Sequence, residues 1–198
     1  MDALIASFCM VAIAEIGDKT QLLSFVLATR FRGKALAIIA GIFVATVFNH
    51  ALAAAAGDIV ARYVNADVLR WVLGLSFLAF AVWALIPDKL DEDEGGAGKP
   101  SKYGAFATTT ALFFLAEMGD KTQLATVALG AKYSSLVLVA IGTTLGMMAA
   151  NVPAVLIGER LGQKFPLAKM RFVAAVLFAV FGALILLDLD IGLGLGDF

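Results

Sequence analysis

Apolar residues occupy six long blocks along this chain, at about residues 3–29, 35–60, 68–87, 104–130, 134–158 and 169–188. Each block reaches the ~20 residues that an α-helix needs to cross ~30 Å of hydrocarbon. Lipid offers no partners to free backbone groups, so each block is expected to be helical. The first and fourth blocks are longer than the others, and each holds a polar cluster near its middle. The third and fourth are separated by an acidic, glycine-rich stretch that includes Asp91-Glu92-Asp93-Glu94-Gly95-Gly96 and has no apolar periodicity. That stretch predicts a solvated linker at 88–103, with ion attraction as a second reading. It separates a unit at 1–87 from a unit at 104–198.

Composition supports a bilayer as the solvent. Of 198 residues, 61% are hydrophobic and only 16% charged, against about 25% charged in a soluble domain. A net charge of -1 gives no basic excess for nucleic acid. The single cysteine, Cys9, excludes an internal disulfide, and no Cys/His cluster suggests zinc. No basic region precedes the first block, which extends well past a signal-peptide core, so the first helix is expected to be retained. Lys and Arg in the loops set the orientation. Arg30, Arg32, Lys34, Lys89, Lys99, Lys102, Arg160, Lys164, Lys169 and Arg171 fall on one side, against Arg62, Arg70 and Lys132 on the other. The richer side is expected to be cytoplasmic, with both termini outside.

The two halves repeat. Ala14-Glu15-Ile16-Gly17-Asp18-Lys19-Thr20-Gln21-Leu22 matches Ala116-Glu117-Met118-Gly119-Asp120-Lys121-Thr122-Gln123-Leu124 at all positions but one. Asn49 matches Asn151 at the same offset, and Arg70-Trp71-Val72 aligns with Arg171-Phe172-Val173. Three spans per unit is an odd number, so the second copy enters from the opposite side. The expected fold is all-α and integral to the membrane: six transmembrane helices as two inverted three-helix repeats. Helices 1 and 4, which carry the motifs, then meet at a pseudo-two-fold axis. Transporters built this way place their sites near mid-bilayer, at the repeat interface.

The motif supplies oxygen donors. In a continuous helix Glu15, Asp18 and Leu22 share a face, with Lys19 one turn after Glu15. Gln21 and Ser24 follow Asp18 at intervals of three. The second set is Glu117, Asp120, Gln123 and Thr126. Gly17 and Gly119 permit close helix approach, or a kink that frees backbone carbonyls. Carboxylates inside a membrane are functional suspects by default. Four of them, balanced by Lys19 and Lys121, leave a charge of -2, which one divalent cation or two protons would neutralise. That arithmetic favours metal exchanged for protons, with Glu15 and Glu117 taking protons as the metal leaves. An all-oxygen site suits Mg²⁺, Ca²⁺ and Mn²⁺. The plainer alternative is that Glu15–Lys19 and Glu117–Lys121 are local i,i+4 ion pairs. Asn49 and Asn151, mid-span in the second and fifth helices, read equally as inter-helix hydrogen-bonders or ligands. His50 has no counterpart, since Val152 takes its place, and is expected to be a packed residue. Gly17-Asp18-Lys19-Thr20 resembles the end of a phosphate-binding loop, but the upstream glycines and strand are missing.

Glu15-Ile16-Gly17-Asp18-Lys19-Thr20 and Glu117-Met118-Gly119-Asp120-Lys121-Thr122 resemble the paired E-x-G-D-[KR]-[ST] signatures of a family of cation/proton exchangers. That family includes bacterial MneA-type manganese exporters, and Golgi and chloroplast relatives that handle Mn²⁺ and Ca²⁺. The resemblance covers nearly the whole chain. It implies Mn²⁺ export by proton antiport from a bacterial inner membrane, with Glu15, Asp18, Glu117 and Asp120 as the central residues. On this footing the chain is expected to be a secondary transporter and not an enzyme, with no cofactor. Its partners are a divalent ion, protons and the lipid bilayer, and no nucleic acid. The metal set is Glu15, Asp18, Gln21, Glu117, Asp120 and Gln123, with Ser24, Asn49, Thr126 and Asn151 as further candidate ligands. Lys19 and Lys121 balance charge or gate. A passive channel with a carboxylate selectivity ring is the alternative. An intramembrane enzyme is a third reading, though no nucleophile–base pair stands out.

Overall fold

The computed structural model describes residues 1–86, 104–158 and 167–189. The expected linker at 88–103 lies outside these residues, as do Arg160 and Lys164. Among the described residues there are eight helices and no strand: α1 (Asp2–Ala14), α2 (Lys19–Arg30), α3 (Ala35–Tyr63), α4 (Ala66–Ala84), α5 (Ala105–Glu117), α6 (Lys121–Tyr133), α7 (Leu136–Gly158) and α8 (Leu167–Leu186). Three of them, α3, α4 and α7, are long and apolar enough to cross a membrane.

The first and fourth apolar blocks are each broken in two, which corrects the expectation of a continuous helix through each motif. α1 has 13 residues and α5 has 13, so each is ~20 Å long at 1.5 Å per residue and falls short of ~30 Å of hydrocarbon by itself. The breaks lie at Gly17 and Gly119, whose φ angles are +88° and +76°. An α-helix cannot pass through that left-handed region, and glycine enters it without a Cβ clash. The chain then restarts at an aspartate: Asp18 and Asp120 are the extended N-cap residues of α2 and α6, a position that suits a short acidic side chain. With the helix broken, Glu15, Asp18 and Leu22 do not share a helix face.

The two halves interlock. The α1–α2 pair runs along α7, and the α5–α6 pair runs along α3, so each broken helix lies against the long helix of the other half. Small residues make this possible. A Cβ at Gly130 would sit 2.5 Å from the Ala54 carbonyl oxygen, and one at Gly142 would sit 2.6 Å from that of Leu4. α4 and α8 pack on each other around four phenylalanines. Phe77 stacks on Phe178 at 6.2 Å, and the diagonal contacts Phe77–Phe181 and Phe80–Phe178 measure 6.1 and 5.9 Å. Arg70 at the start of α4 pairs with Asp188 beyond the end of α8 at 3.5 Å, so these helices are antiparallel.

The apolar interior forms two bodies. One gathers Met10 of α1, Leu129 of α6 and the facing residues of α4 and α8. The other gathers Leu23 and Leu27 of α2, Ile38 and Ile42 of α3, Phe113 of α5 and Val155 of α7. The polar segments at the two breaks join α1 to α2 and α5 to α6, and so link one body to the other.

Candidate functional site

Both breaks are built alike. The Asp18 N–H donates to the Glu15 carbonyl and the Asp120 N–H to the Glu117 carbonyl, each at 3.1 Å. The Gly17 N–H donates to Gln21 Oε1 at 2.9 Å, and the Gly119 N–H donates to Gln123 Oε1 at 2.8 Å. Each glutamine thus reaches back one turn to hold the backbone N–H that the break exposes. The sequence offered Gln21 and Gln123 as ion ligands; the structure puts one lone pair of each to this use.

The carboxylates converge from both breaks. Glu15, Asp18, Glu117 and Asp120 are all buried. Glu15, Asp18 and Asp120 each place one oxygen within 4.8 Å of the other two. Glu117 is joined to the group through Thr122, whose Oγ1 is within hydrogen-bonding distance of both Glu117 Oε2 and Asp120 Oδ2. Two half-helices end here, α1 at Glu15 and α5 at Glu117, and helix C-termini carry partial negative charge that favours a cation.

The lysines cross over. Lys121 donates to Asp18 Oδ1, and this pair is fully enclosed. Lys19 lies 3.8 Å from Asp120 Oδ1. Each motif's lysine therefore serves the aspartate of the other motif, in place of the local Glu15–Lys19 and Glu117–Lys121 pairs that the plainer alternative would have made. The cause is the break, which removes the helical turn that would bring i and i+4 together. The glutamates receive neutral donors instead. Thr20 Oγ1 donates to Glu15 Oε2 at 2.5 Å. Thr122 Oγ1 lies 3.1 Å from Glu117 Oε2 and 3.2 Å from Asp120 Oδ2. Glu15 Oε1 and Glu117 Oε1 are buried with no hydrogen-bond partner. Buried oxygens in that condition are costly.

The other sequence candidates take structural partners. Ser24 Oγ donates to Asn151 Oδ1 at 2.7 Å, and Gln21 Nε2 donates to the Ala150 carbonyl at 3.2 Å. Thr126 bonds the Thr122 carbonyl of its own helix at 2.7 Å. Asn49 Nδ2 donates to the Phe114 carbonyl at 3.2 Å. His50 is fully buried in α3, as expected of a packed residue. Thr20 and Thr122 were missed as site residues. Their signal was present, since both fall inside the repeated nonapeptide.

The chain is similar to known proteins along nearly its whole length. The model of the family described as "Divalent cation/proton antiporter GDT1" matches residues 3–92 and 105–191. A protein of Vibrio cholerae serotype O1, named "Putative manganese exporter", is 55% identical over 179 residues, covering 90% of this chain and 87% of that one. "GDT1-like protein 3" of Oryza sativa subsp. japonica is 30% identical over 203 residues, covering 91% of this chain and 72% of that one. A GDT1-like protein of Synechocystis is 28% identical over 196 residues, covering 91% and 95%. No solved structure matches the chain.

Proposed function

The chain belongs to the GDT1 family of divalent cation/proton antiporters, and from that premise we propose that it exports Mn²⁺, with Ca²⁺ as second substrate, from the cytosol in exchange for protons. One observation carries this reading: the two glutamates are buried with no lysine hydrogen-bonded to either. Lys121 and Lys19 are committed to Asp18 and Asp120. Glu15 and Glu117 have only hydroxyl partners, and each keeps one buried oxygen without any. Two buried carboxylates to which no lysine is hydrogen-bonded, in a dry interior, are tolerated with one divalent cation or with two protons. Alternation between those occupants is a metal/proton exchange. The donor set is oxygen throughout, which suits Mn²⁺ and Ca²⁺. Glu15, Asp18, Glu117 and Asp120 hold the ion, Gln21 and Gln123 shape the breaks beside it and offer a further oxygen each, and the lysines balance the aspartates.

The architecture behind this is six crossings in two inverted units, 1–87 and 104–198, with α1–α2 and α5–α6 each counting as one crossing. The antiparallel α4–α8 pair, in which Phe77 meets its counterpart Phe178 and the diagonal contacts are reciprocal, supports that reading. So does the reciprocal packing of each broken helix on the long helix of the other half. The protein is placed in a bacterial inner membrane, with both termini outside the cytoplasm.

The test uses inside-out membrane vesicles containing the full chain. Wild type takes up Mn²⁺ against its gradient and releases lumenal protons, while Glu15→Gln and Glu117→Gln do neither. Uptake that runs only downhill would identify a channel instead. Unimpaired exchange in both variants would refute the assignment.

A further inference from the structure

Equivalent residues in the two halves are bonded differently, and α2 is fastened to its long helix where the matching α6 is not. In the first half α2 is fastened to α7 by Ser24–Asn151 and by Gln21 on the Ala150 carbonyl. The sequence places the same chemistry in the second half, where Thr126, Asn49, Gln123 and the Phe48 carbonyl stand at the matching offset. There the fastenings are not made: Thr126 turns to its own helix, Asn49 turns to Phe114 of α5, and Gln123 holds only Gly119. The first break is enclosed, with Gly17 and Gln21 buried, whereas Gly119 is exposed and Gln123 half-buried. The ion pairs follow suit, since Lys121–Asp18 is enclosed while Lys19, at 3.8 Å from Asp120, keeps 17% of its side-chain surface exposed. α4 and α8 share the bias. Beyond each other they pack on α1 and α6, the half-helices of one apolar body, in preference to the equivalent α5 and α2.

Two like halves in unlike arrangements have a partner state in which the arrangements are exchanged. That exchange trades like bonds for like: a hydroxyl on an asparagine amide, a glutamine on a helix carbonyl, and a lysine on an aspartate. Its energetic cost is small because each bond lost is matched by one gained. We propose that Ser24–Asn151 and Thr126–Asn49 are alternating latches that decide to which side the ion site opens, so these four residues are positioning residues and not ion ligands. In the described state the first latch is shut. In the other, Thr126 closes on Asn49, Gln123 takes the Phe48 carbonyl, Lys19 tightens on Asp120 and the Ser24–Asn151 bond opens. This rests on the inverted antiporter reading above, and names the device that regulates its site.

The test is the ratio of the apparent affinities for Mn²⁺ at the two membrane faces, measured with full-length protein in right-side-out and inside-out vesicles. Removing one latch lowers the population of the state it holds, and apparent affinity at the face open in that state falls in proportion. Ser24→Ala and Thr126→Ala should shift the ratio in opposite directions, each by about 3- to 10-fold for one hydrogen bond. The double variant should return towards wild type, and Ser24→Thr, which supplies the hydroxyl found in the second half, should restore the ratio. Hydrogen–deuterium exchange gives a reading independent of transport: Ser24→Ala should raise exchange in residues 19–30 and lower it in 121–133, and Thr126→Ala should do the reverse. Loss of affinity at both faces in both variants, or an exchange pattern that moves the same way in each, overturns the latches. If wild type shows no proton-coupled Mn²⁺ movement while the exchange patterns still swap, the antiporter reading fails and the two-state device stands.

Discussion

At the scale of single residues, the unusual backbone sits where the chemistry is. Gly17 and Gly119 hold positive φ, and alanine at either position would pay for a conformation it avoids by about 1–2 kcal/mol. Gly17→Ala and Gly119→Ala should each lower the melting temperature in detergent and slow Mn²⁺ exchange, the latter because the carboxylates are positioned by the break. The hydroxyls allow a cleaner separation of site from fold. Thr20→Val leaves Glu15 Oε2 without its donor, and a hydrogen bond to a charged group is worth about 1.5–3 kcal/mol. Exchange should fall by about tenfold or more on that basis, and Thr20→Ser should recover it. The importance of these residues was legible because the motif is written twice. The identity of each lysine's partner was not. Spacing of i,i+4 points to Glu15–Lys19 only if a helix joins them, and a glycine in a helical run signals a break without proving one.

At the scale of elements, the two broken helices are the departure from what hydropathy predicts. A window average sees residues 3–29 as one apolar run, because Glu15, Asp18 and Lys19 are outweighed by their flanks. The boundaries of the unbroken helices were legible to within a few residues, since their ends coincide with turn residues such as Asn65, whose side chain accepts from the Val68 N–H at 2.8 Å. What composition hides is which helix touches which. The α3–α6 crossing depends on Gly57 and Gly130, where a Cβ would collide with backbone. Gly130→Leu should therefore push the helices apart and destabilise the protein by more than 2 kcal/mol, the order of cost seen for severe overpacking. Measured by thermal unfolding, it should cost more than Gly33→Leu, where nothing lies within 4 Å of the added carbon although φ is also positive.

At the scale of the whole molecule, function depends on direction. Proton-coupled export predicts that acidifying the outer face accelerates Mn²⁺ efflux, because protons entering from that face take the glutamates the metal leaves. Collapsing the proton gradient with an ionophore should leave only downhill flux. Reporters that are active only in the cytoplasm, fused at either terminus, should stay silent; activity from one would reverse the orientation. The doubling of the broken segment was legible because the sequence repeat writes the same motif in both halves. The interlocking of those halves was not, since nothing in either half states that its broken helix lies on the long helix of the other. Residues 1–87 and 88–198 expressed separately should each fail to accumulate, and export should return when both are made in one cell.

The crossed lysines also impose an order on biogenesis. Asp18 and Lys121 are separated by 103 positions in the chain, and synthesis proceeds at ~5–20 residues per second. For something like 5–20 s after Asp18 leaves the ribosome, the lysine that pairs with it has not yet been made. The nascent first half must wait either beside the insertion machinery or with its carboxyl groups protonated, and the membrane receives a finished electrical unit only when the second half arrives.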